Sequence, residues 1–365
     1  MSQRDVSFGF MVAASDSPGT DDAGLYATML RDAQLGYDLG YEGAWIIEHH
    51  FSNYFPQPSP IAILSHLAAR FPGLDLGTMV LVTPWHHPMR LAGEIAALSH
   101  LCTGNLHFGL GRGNAQMEYD AFDIDMAQAK DRFEDSWRIL ELAMEGKPFT
   151  YEGKVLKAPR QVQIRPTPQR DKINFYGGMW QAASASKIAG LGLPPMCNGT
   201  HPLEVQRAVL EAWAETARSQ NMPTDVTKVV ACNLIVADTD EEAYQQGRKY
   251  MPRWFQVQAE HYQHDITRNR DLPDYRPFAE MQARRVAMSD PAGITDFLDV
   301  SLVGSPETIK RRLQEYLDVG FNSIILLTST PGIPEERHRE WLTRFAKEVA
   351  PEFSKKFAPR TKAVV

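Results

Sequence analysis

The chain has 365 residues, of which 43% are hydrophobic and 23% charged, a composition typical of a globular protein. Lys and Arg number 38 against 45 Asp and Glu, and the net charge of −7 argues against nucleic acid as a partner, because phosphate binding needs clustered basic residues. Three widely spaced cysteines, the lack of a signal-peptide pattern and the lack of a long apolar run lead us to expect a cytoplasmic protein without disulfides or a membrane span.

Short apolar runs alternate with amphipathic segments along the chain. Strands are predicted at residues 6–12, 43–47, 74–82, 106–110, 173–176, 193–197, 229–236 and 323–327. Helices are predicted at residues 25–39, 60–71, 88–101, 127–146, 181–189, 202–219, 240–250, 306–319 and 335–349. About eight βα units predict an α/β protein whose parallel strands close into a (β/α)8 TIM barrel.

Two stretches interrupt this alternation. Residues 149–170 contain three prolines, and residues 253–302 are long, polar and aromatic. Long barrel loops often close over an active site, so the second stretch is either a lid or a surface excursion. We predict a single domain over residues 1–355 with these two insertions, followed by a basic, solvated tail at 356–365.

The strongest local signal is WIIEHHF at residues 45–51, where an apolar strand runs directly into Glu48, His49 and His50. Catalytic groups of barrel enzymes lie at the C-terminal ends of strands, and histidine suits proton transfer near neutral pH. A pair that only forms hydrogen bonds across the barrel rim is an almost equally good interpretation.

A second histidine pair, His86 and His87, follows the third predicted strand. Four histidines at one barrel face suggest a metal hydrolase, since imidazole is a common zinc ligand. Among the later strand ends only Asp238 offers another ligand, so we expect no metal site. His87 with Pro88 is better interpreted as the start of a helix.

Two glycine-containing segments are candidate anion sites. GLGRGN at residues 109–114 offers close backbone approach and the guanidinium of Arg112, but the next helix is expected only near residue 125, so the Rossmann pattern fails. YGGMWQAAS at residues 176–184 is a strand, a glycine pair and a helix start, where backbone N–H groups attract anions. An ordinary βα turn explains the second segment equally well.

Taken together, these segments resemble the bacterial-luciferase-like flavin-dependent monooxygenases. The likeness covers roughly residues 6 to 350, is strongest from 40 to 147, and is closest to the luciferase catalytic subunit. No single segment is specific for the family, but the order and spacing that the segments share are specific for it. The segments that carry it are GYEGAWIIEHHF, LDLGTMVLVTPWHHPMRLAGEIAALSHLCTGNLHFGLGRG, RFEDSWRILELAMEGKPFTYEGKVLKAP and IAGLGLP.

The resemblance implies a TIM barrel that binds reduced FMN and activates O2 as a C4a-(hydro)peroxyflavin. By position, it makes His49 the catalytic residue and Arg112 the ligand of the FMN phosphate. It also implies a strained peptide against the flavin ring at Met79–Val80, which we expect to be cis. The remaining cofactor-binding positions are Met179, Trp180, Gln181, where the family has Ser, and Ser184, where it has Thr.

A reactive flavin needs a pocket that excludes water, and large side chains cluster near the predicted strand ends. We expect about half of them to touch flavin or substrate. The candidate wall residues are Trp45, Phe51, Tyr54, Phe55, Trp85, Met179 and Trp180. The predicted substrate pocket comprises Phe10, His50, Tyr54, Phe55 and Trp85.

The predicted function is oxygenation of a small hydrophobic or aromatic organic substrate. No second dinucleotide motif is present, so a separate flavin reductase is expected to supply FMNH2. The alternatives are an F420-dependent oxidoreductase of the same fold and a non-catalytic flavin-binding subunit. A homodimer is the family expectation.

Overall fold

The computed structural model describes residues 6–15, 19–262, 276–355 and 357–360. The strands within these residues are Ser7–Met11 (β1), Gly43–Ile46 (β2), Asp75–Val82 (β3), Leu106–Gly111 (β4), Phe149–Glu152 (β5), Lys157–Val162 (β6), Ile173–Met179 (β7), Pro195–Asn198 (β8), Val229–Val236 (β9), Leu302–Gly304 (β10) and Ser323–Leu327 (β11).

The helices of the same residues alternate with these strands. They are Asp22–Leu39 (α1), Pro60–Arg70 (α2), Pro88–Leu101 (α3), Gln116–Ala121 (α4), Ala129–Met144 (α5), Ala182–Gly190 (α6), Leu203–Ser219 (α7), Asp240–Tyr262 (α8), Arg276–Met288 (α9), Thr295–Asp299 (α10), Pro306–Val319 (α11), Glu335–Arg344 (α12) and Ala350–Phe353 (α13). None of these helices is both long and apolar enough to cross a membrane.

The strand order establishes the fold class. The order is β10-β9-β11-β1-β2-β3-β4-β7-β8, and β8 pairs again with β9. Apart from β10, which extends the sheet beyond β9, eight strands therefore close on themselves. The (β/α)8 barrel predicted from the sequence is confirmed.

The predicted boundaries of α3, α11, β9 and β11 match the structure residue for residue. Helix α8 instead continues to Tyr262 with Pro252 in its interior, where proline normally ends a helix. The expectation that no helix begins before about residue 125 is wrong, because α4 begins at Gln116. Strand β10 was not predicted; only three residues form it.

Both predicted insertions contain regular structure. Residues 149–170 include the antiparallel pair β5–β6. The 253–302 stretch includes the end of α8, then α9 and α10. Residues 263–275 of the lid prediction lie outside the described residues, so the lid stays a prediction.

The chain forms two compact units. The first comprises Met1–Trp45, Tyr176–Val257 and Val286–Val365, and the second comprises Ile46–Phe175 and Gln258–Arg285. The prediction of one domain over residues 1–355 stays a prediction.

In the first unit, β1 packs against α1 through Phe10. A Cβ atom on Gly36 of α1 would lie only 2.2 Å from the ring of Phe10, and the ring of Tyr41 is 5.3 Å away between centroids. Since Phe10 is 1% exposed, its ring fills the layer between strand and helix. This position does not support the predicted role of Phe10 in a substrate pocket.

The described part of the C-terminal tail packs only in part, because Phe357 is buried whereas Ala358 and Pro359 are exposed, as predicted for a solvated segment. Phe357 is 6% exposed, and its ring contacts those of Phe8 and Tyr41. Arg360 donates hydrogen bonds of 2.9 and 2.8 Å to the carbonyl oxygens of Tyr37 and Tyr41. The ring contacts of Phe357 and the hydrogen bonds from Arg360 to these carbonyls hold this part of the polar tail against the end of α1.

The end of α1 offers a test of this packing. Gly40 ends α1 with φ 94°, and a Cβ atom there would lie 2.0 Å from the carbonyl oxygen of Ala358. Gly320 ends α11 with φ 114° and has no heavy atom within 4 Å of such a Cβ. Gly320→Ala should lower the free energy of unfolding by about 1 kcal/mol, and Gly40→Ala should lower it by at least about 2 kcal/mol, because it adds a clash to the same backbone strain.

Urea unfolding of the two variants measures this difference. Equal losses in both variants would mean that the segment around Ala358 does not pack on α1.

In the second unit, β3 and β4 pair in parallel, with a register shift between Thr78 and Leu81. The Met79–Val80 peptide lies within this shift and is cis, as the resemblance led us to expect. Thr78 donates a hydrogen bond of 3.1 Å to the carbonyl oxygen of Gly109. The two strands thereby carry the segments that follow them, at residues 83–87 and 112–122, to the same end of this unit.

Candidate active site

The candidate site lies wholly in the second unit, beyond the C-terminal ends of its strands. Three segments supply its polar groups: residues 48–57 after β2, residues 82–86 after β3, and α4 after β4. A fourth group, His261, comes from the last turn of α8.

Glu48 connects the segment after β2 to the segment after β3 through hydrogen bonds. Its side chain is fully buried, and Oε1 accepts hydrogen bonds from Nε2 of His50 at 3.0 Å and Nε2 of His86 at 2.8 Å. Its Oε2 accepts a hydrogen bond of 2.7 Å from the backbone N–H of Val82. All of these donors stabilise the ionised carboxylate, so Glu48 acts as a fixed anchor for both histidines.

The pKa values of this pair follow from the same contacts. Burial opposes ionisation of Glu48, but the hydrogen bonds from His50 and His86 prevail and lower its pKa below 4.5. Burial also opposes protonation of His86, whereas the hydrogen bond and charge of Glu48 raise its pKa above 6.5. The structure therefore favours a charged Glu48–His86 pair.

His49, adjacent to this anchor, has a different environment. It is 7% exposed, and neither ring nitrogen has a hydrogen-bond partner among the described residues. Aromatic rings surround it, with centroids 4.5 Å away for Tyr54, 4.7 Å for His261 and 5.9 Å for Tyr262. A buried imidazole whose nitrogens form no hydrogen bond with the described residues is suited to exchange a proton with a bound molecule.

Glu118 and His261 complete this cluster, and neither was predicted. Oε1 of Glu118 lies 3.5 Å from Nδ1 of His49 and 3.5 Å from Nε2 of His261. The same oxygen accepts a hydrogen bond of 2.7 Å from the backbone N–H of His50. Ser52 and Nδ1 of His261 form a hydrogen bond of 2.7 Å.

Trp85 and Arg112 flank the cluster. The Trp85 ring stacks on Phe122 at 5.2 Å and meets Tyr119 edge-on at 4.5 Å, and its Nε1 has no hydrogen-bond partner among the described residues. Arg112 follows β4 directly, and its carbonyl accepts a hydrogen bond of 2.7 Å from the hydroxyl of Tyr119. Gly113 has φ 72°, and a Cβ there would lie 2.6 Å from Val82, so only glycine fits between them.

Four of the five predicted pocket residues lie in the candidate site, whereas one candidate wall residue lies at its rim. His50, Tyr54, Phe55 and Trp85 all belong to this cluster, and the ring of Phe55 is 6.4 Å from that of His49. Phe51, a candidate wall residue, is 57% exposed. It contacts Phe122 at the rim, with ring centroids 5.1 Å apart.

Four predicted cofactor-binding residues lie in the first unit, at the junction of β7 and α6. Met179 is 3% exposed, and Trp180 stacks on His201 with ring centroids 5.9 Å apart. Gln181 and Ser184 form a capping box, in which Ser184 accepts a hydrogen bond of 3.2 Å from the Gln181 N–H. The Ser184 hydroxyl thus caps its own helix, and its contact with a phosphate stays a prediction.

The four histidines considered as metal ligands do not form one site. His50 and His86 are hydrogen-bonded to Glu48, and His87 is exposed at the start of α3. Asp238 pairs instead with Arg344, at 2.9 Å. Within the described residues, the group whose ligand atoms all lie within 4.8 Å of one another is His49, Glu118 and His261.

Known proteins resemble this chain in sequence. A protein of Sinorhizobium fredii without an assigned activity is 32% identical over 236 residues, which cover 61% of this chain and 65% of that protein. The oxygenase component of a flavin-dependent trigonelline monooxygenase from Acinetobacter baylyi is 24% identical over 362 residues, 93% of each chain.

Two solved structures share the fold. The oxygenating constituent of the 3,6-diketocamphane monooxygenase of Pseudomonas putida, a Baeyer–Villiger enzyme in complex with FMN, has a TM-score of 0.72 at 20% identity, covering 96% of this chain and 99% of that one. An F420-dependent secondary alcohol dehydrogenase has a TM-score of 0.73 at 13% identity, covering 95% and 98%.

The family described as luciferase-like monooxygenases matches residues 6–323, a range that includes every residue of the candidate site. This match spans far more than half of the chain. The chain therefore belongs to the luciferase-like, flavin-dependent monooxygenase family.

Proposed function

We propose that this chain is the oxygenase component of a two-component monooxygenase, which receives FMNH2 from a separate reductase and oxygenates a small hydrophobic or aromatic substrate. The observation that carries the proposal is His49, a buried imidazole among aromatic rings whose two nitrogens form no hydrogen bond with the described residues. The trigonelline monooxygenase relative, an oxygenase component by name, supports the two-component arrangement.

The residues present fit a flavin. A flavin ring is planar and apolar on its faces, with hydrogen-bonding groups at its edges, and the cluster offers aromatic surfaces together with unpartnered nitrogens on His49 and Trp85. Arg112 offers a guanidinium for the phosphate. The predicted contacts at Met79, Val80, Met179, Trp180, Gln181 and Ser184 belong to the same proposal.

When bound, reduced FMN supplies the two electrons that activate O2. His49 would hold or deliver a proton through Nε2, because its other nitrogen, Nδ1, lies 3.5 Å from the carboxylate of Glu118. The aromatic side chains around it exclude water, which would otherwise divert the reaction toward hydrogen peroxide. Their apolar character favours a substrate that is hydrophobic or aromatic.

A second candidate is hydride transfer with F420, which the structural similarity to the F420-dependent alcohol dehydrogenase supports. The two functions differ in cofactor and in the need for oxygen. Spectral titration of the purified protein with reduced FMN and with F420 distinguishes the cofactors directly. The homodimer and the cytoplasmic location stay predictions.

Stopped-flow absorbance tests the leading proposal. The protein loaded with FMNH2 is mixed with oxygenated buffer, and flavin reoxidation and hydrogen peroxide release are followed together. We expect reoxidation and peroxide release at least about tenfold slower than for free FMNH2, because the pocket excludes water. Unchanged rates, combined with binding of F420 in the titration, would replace the oxygenase with the F420 enzyme.

Arg112→Ala should weaken the binding of FMN while leaving that of riboflavin nearly unchanged, because only FMN carries the phosphate. A charge-assisted hydrogen bond contributes about 1.5–3 kcal/mol, which corresponds to roughly a 10- to 150-fold rise in the Kd of FMN. Fluorescence titration with both flavins measures the difference. Equal losses for FMN and riboflavin would assign Arg112 a role other than phosphate binding.

A further inference from the structure

The carboxylate of Glu118 lies between two buried imidazoles at the same distance from each. We propose that His49, Glu118 and His261 form a binding site for one divalent transition-metal ion of the Zn²⁺ class. The ligand atoms are Nδ1 of His49, Oε1 of Glu118 and Nε2 of His261.

The separations between the Glu118 carboxylate and the two imidazoles fit a shared metal ion. Both N···O separations are 3.5 Å, which is longer than the 2.7–3.2 Å typical of hydrogen bonds. Two ligands bound to one tetrahedral ion through bonds of about 2.0–2.2 Å lie roughly 3.4 Å apart. The two gaps therefore match ligands that share an ion. One ligand atom from each of the three residues lies within 4.8 Å of the ligand atoms of the other two.

The burial of the three side chains and the charge of Glu118 also favour a bound cation. The side chains of His49, Glu118 and His261 are 9%, 2% and 0% exposed. A buried carboxylate requires a cation or several hydrogen bonds, and the contacts described for Glu118 are one backbone N–H and two imidazoles at 3.5 Å. Imidazole and carboxylate together suit zinc, cobalt and nickel.

The surroundings orient the ligands. The hydrogen bond between Ser52 and Nδ1 of His261 leaves Nε2 of that ring directed at Glu118. The backbone N–H of His50 fixes Oε1 of Glu118 through its other lone pair. Such supporting contacts are a regular feature of metal sites, where they set the orientation of each ligand. Three protein ligands leave one position open for water or a bound molecule.

Metal binding would interfere with the proposed function, on which this consequence depends: an ion on Nδ1 fixes the imidazole of His49 and occupies a nitrogen that could otherwise carry a proton. Zn²⁺ is then an inhibitor of the oxygenase. The binding itself is independent of flavin and of turnover.

The experiment uses the flavin-free, chelator-treated full chain and Co²⁺ alone as the probe. Tetrahedral Co²⁺ gives visible ligand-field bands, and we expect them to saturate at one ion per chain and to vanish when Zn²⁺ displaces the cobalt. Glu118→Gln retains an oxygen to accept the His50 N–H and should weaken Co²⁺ binding at least about tenfold, as should His261→Gln. His87→Gln, which alters an exposed histidine, should bind Co²⁺ as the wild type does.

Absence of the bands in the wild type, or unchanged Co²⁺ affinity in both ligand variants, overturns the proposal. If the variants fail to fold, X-ray absorption of the wild-type zinc complex decides it: two imidazoles and one oxygen ligand from the protein support the site, and any other set refutes it. Failure of the metal-site proposal is distinguishable from failure of the oxygenase proposal, because the oxygenase is tested with FMNH2 in the absence of metal.

Discussion

Replacing His49 with alanine should lower product formation by about 10²- to 10⁴-fold, the contribution typical of a positioned proton donor or acceptor. FMNH2 binding should persist, because the proposed flavin contacts involve other residues as well. Product yield and hydrogen peroxide release, measured with FMNH2 and a common substrate panel, check the prediction.

His87→Ala is the matched control for this measurement. It removes an exposed imidazole from the start of α3 and should leave product formation within about twofold of the wild type, as expected for a surface substitution. Wild-type product yield in His49→Ala would remove His49 from the mechanism, even if flavin binding were unaffected.

Glu48→Ala should lower the free energy of unfolding by about 3–5 kcal/mol, because it leaves the buried partners of a charged group without their acceptor. These partners are the rings of His50 and His86 and the N–H of Val82. Urea unfolding measures the loss. Glu315→Ala breaks only the exposed pair with Arg311 and should cost less than about 1 kcal/mol.

The loss in Glu48→Ala should depend on pH. The lowered pKa of Glu48 contributes stability above pH 4.5 that is lost as pH falls through the folded-state pKa. The raised pKa of His86 contributes stability below pH 6.5 that is lost as pH rises through its folded-state pKa. The difference between wild type and variant should therefore be largest between pH 4.5 and 6.5. A difference that grows steadily above this range would contradict the charged pair.

Much of the fold could be predicted because hydrophobic periodicity is a local property. Strand β9 is buried along all eight residues and was predicted from its mostly apolar sequence, which Asn233 alone interrupts. The position of His49 followed from the same reasoning, since the strand that precedes it ends at the catalytic end of a barrel. The proline inside α8 concealed the last turns of that helix, which carry His261.

The partners of His49 could not be predicted for a different reason. His261 is far from His49 in the sequence, and α4, which carries Glu118, is only six residues long and has no side-chain cap. Hydrophobic periodicity does not show which residues of such distant segments come into contact, because that contact depends on tertiary packing. The helical spacing of Gln116 and Asp120, joined by a hydrogen bond, is the signal that would have revealed α4.

The attachment of Arg360 to the end of α1 bears on the order in which the chain can fold during synthesis. Its partner Tyr41 precedes it by 319 residues. A ribosome adding about 5–20 residues per second needs on the order of tens of seconds to bridge that interval. During this time Phe8 and Tyr41 lack the ring of Phe357 that covers them in the native state. We therefore expect the aromatic rings of Phe8 and Tyr41 to stay without this cover until residues 357–360 have left the ribosome.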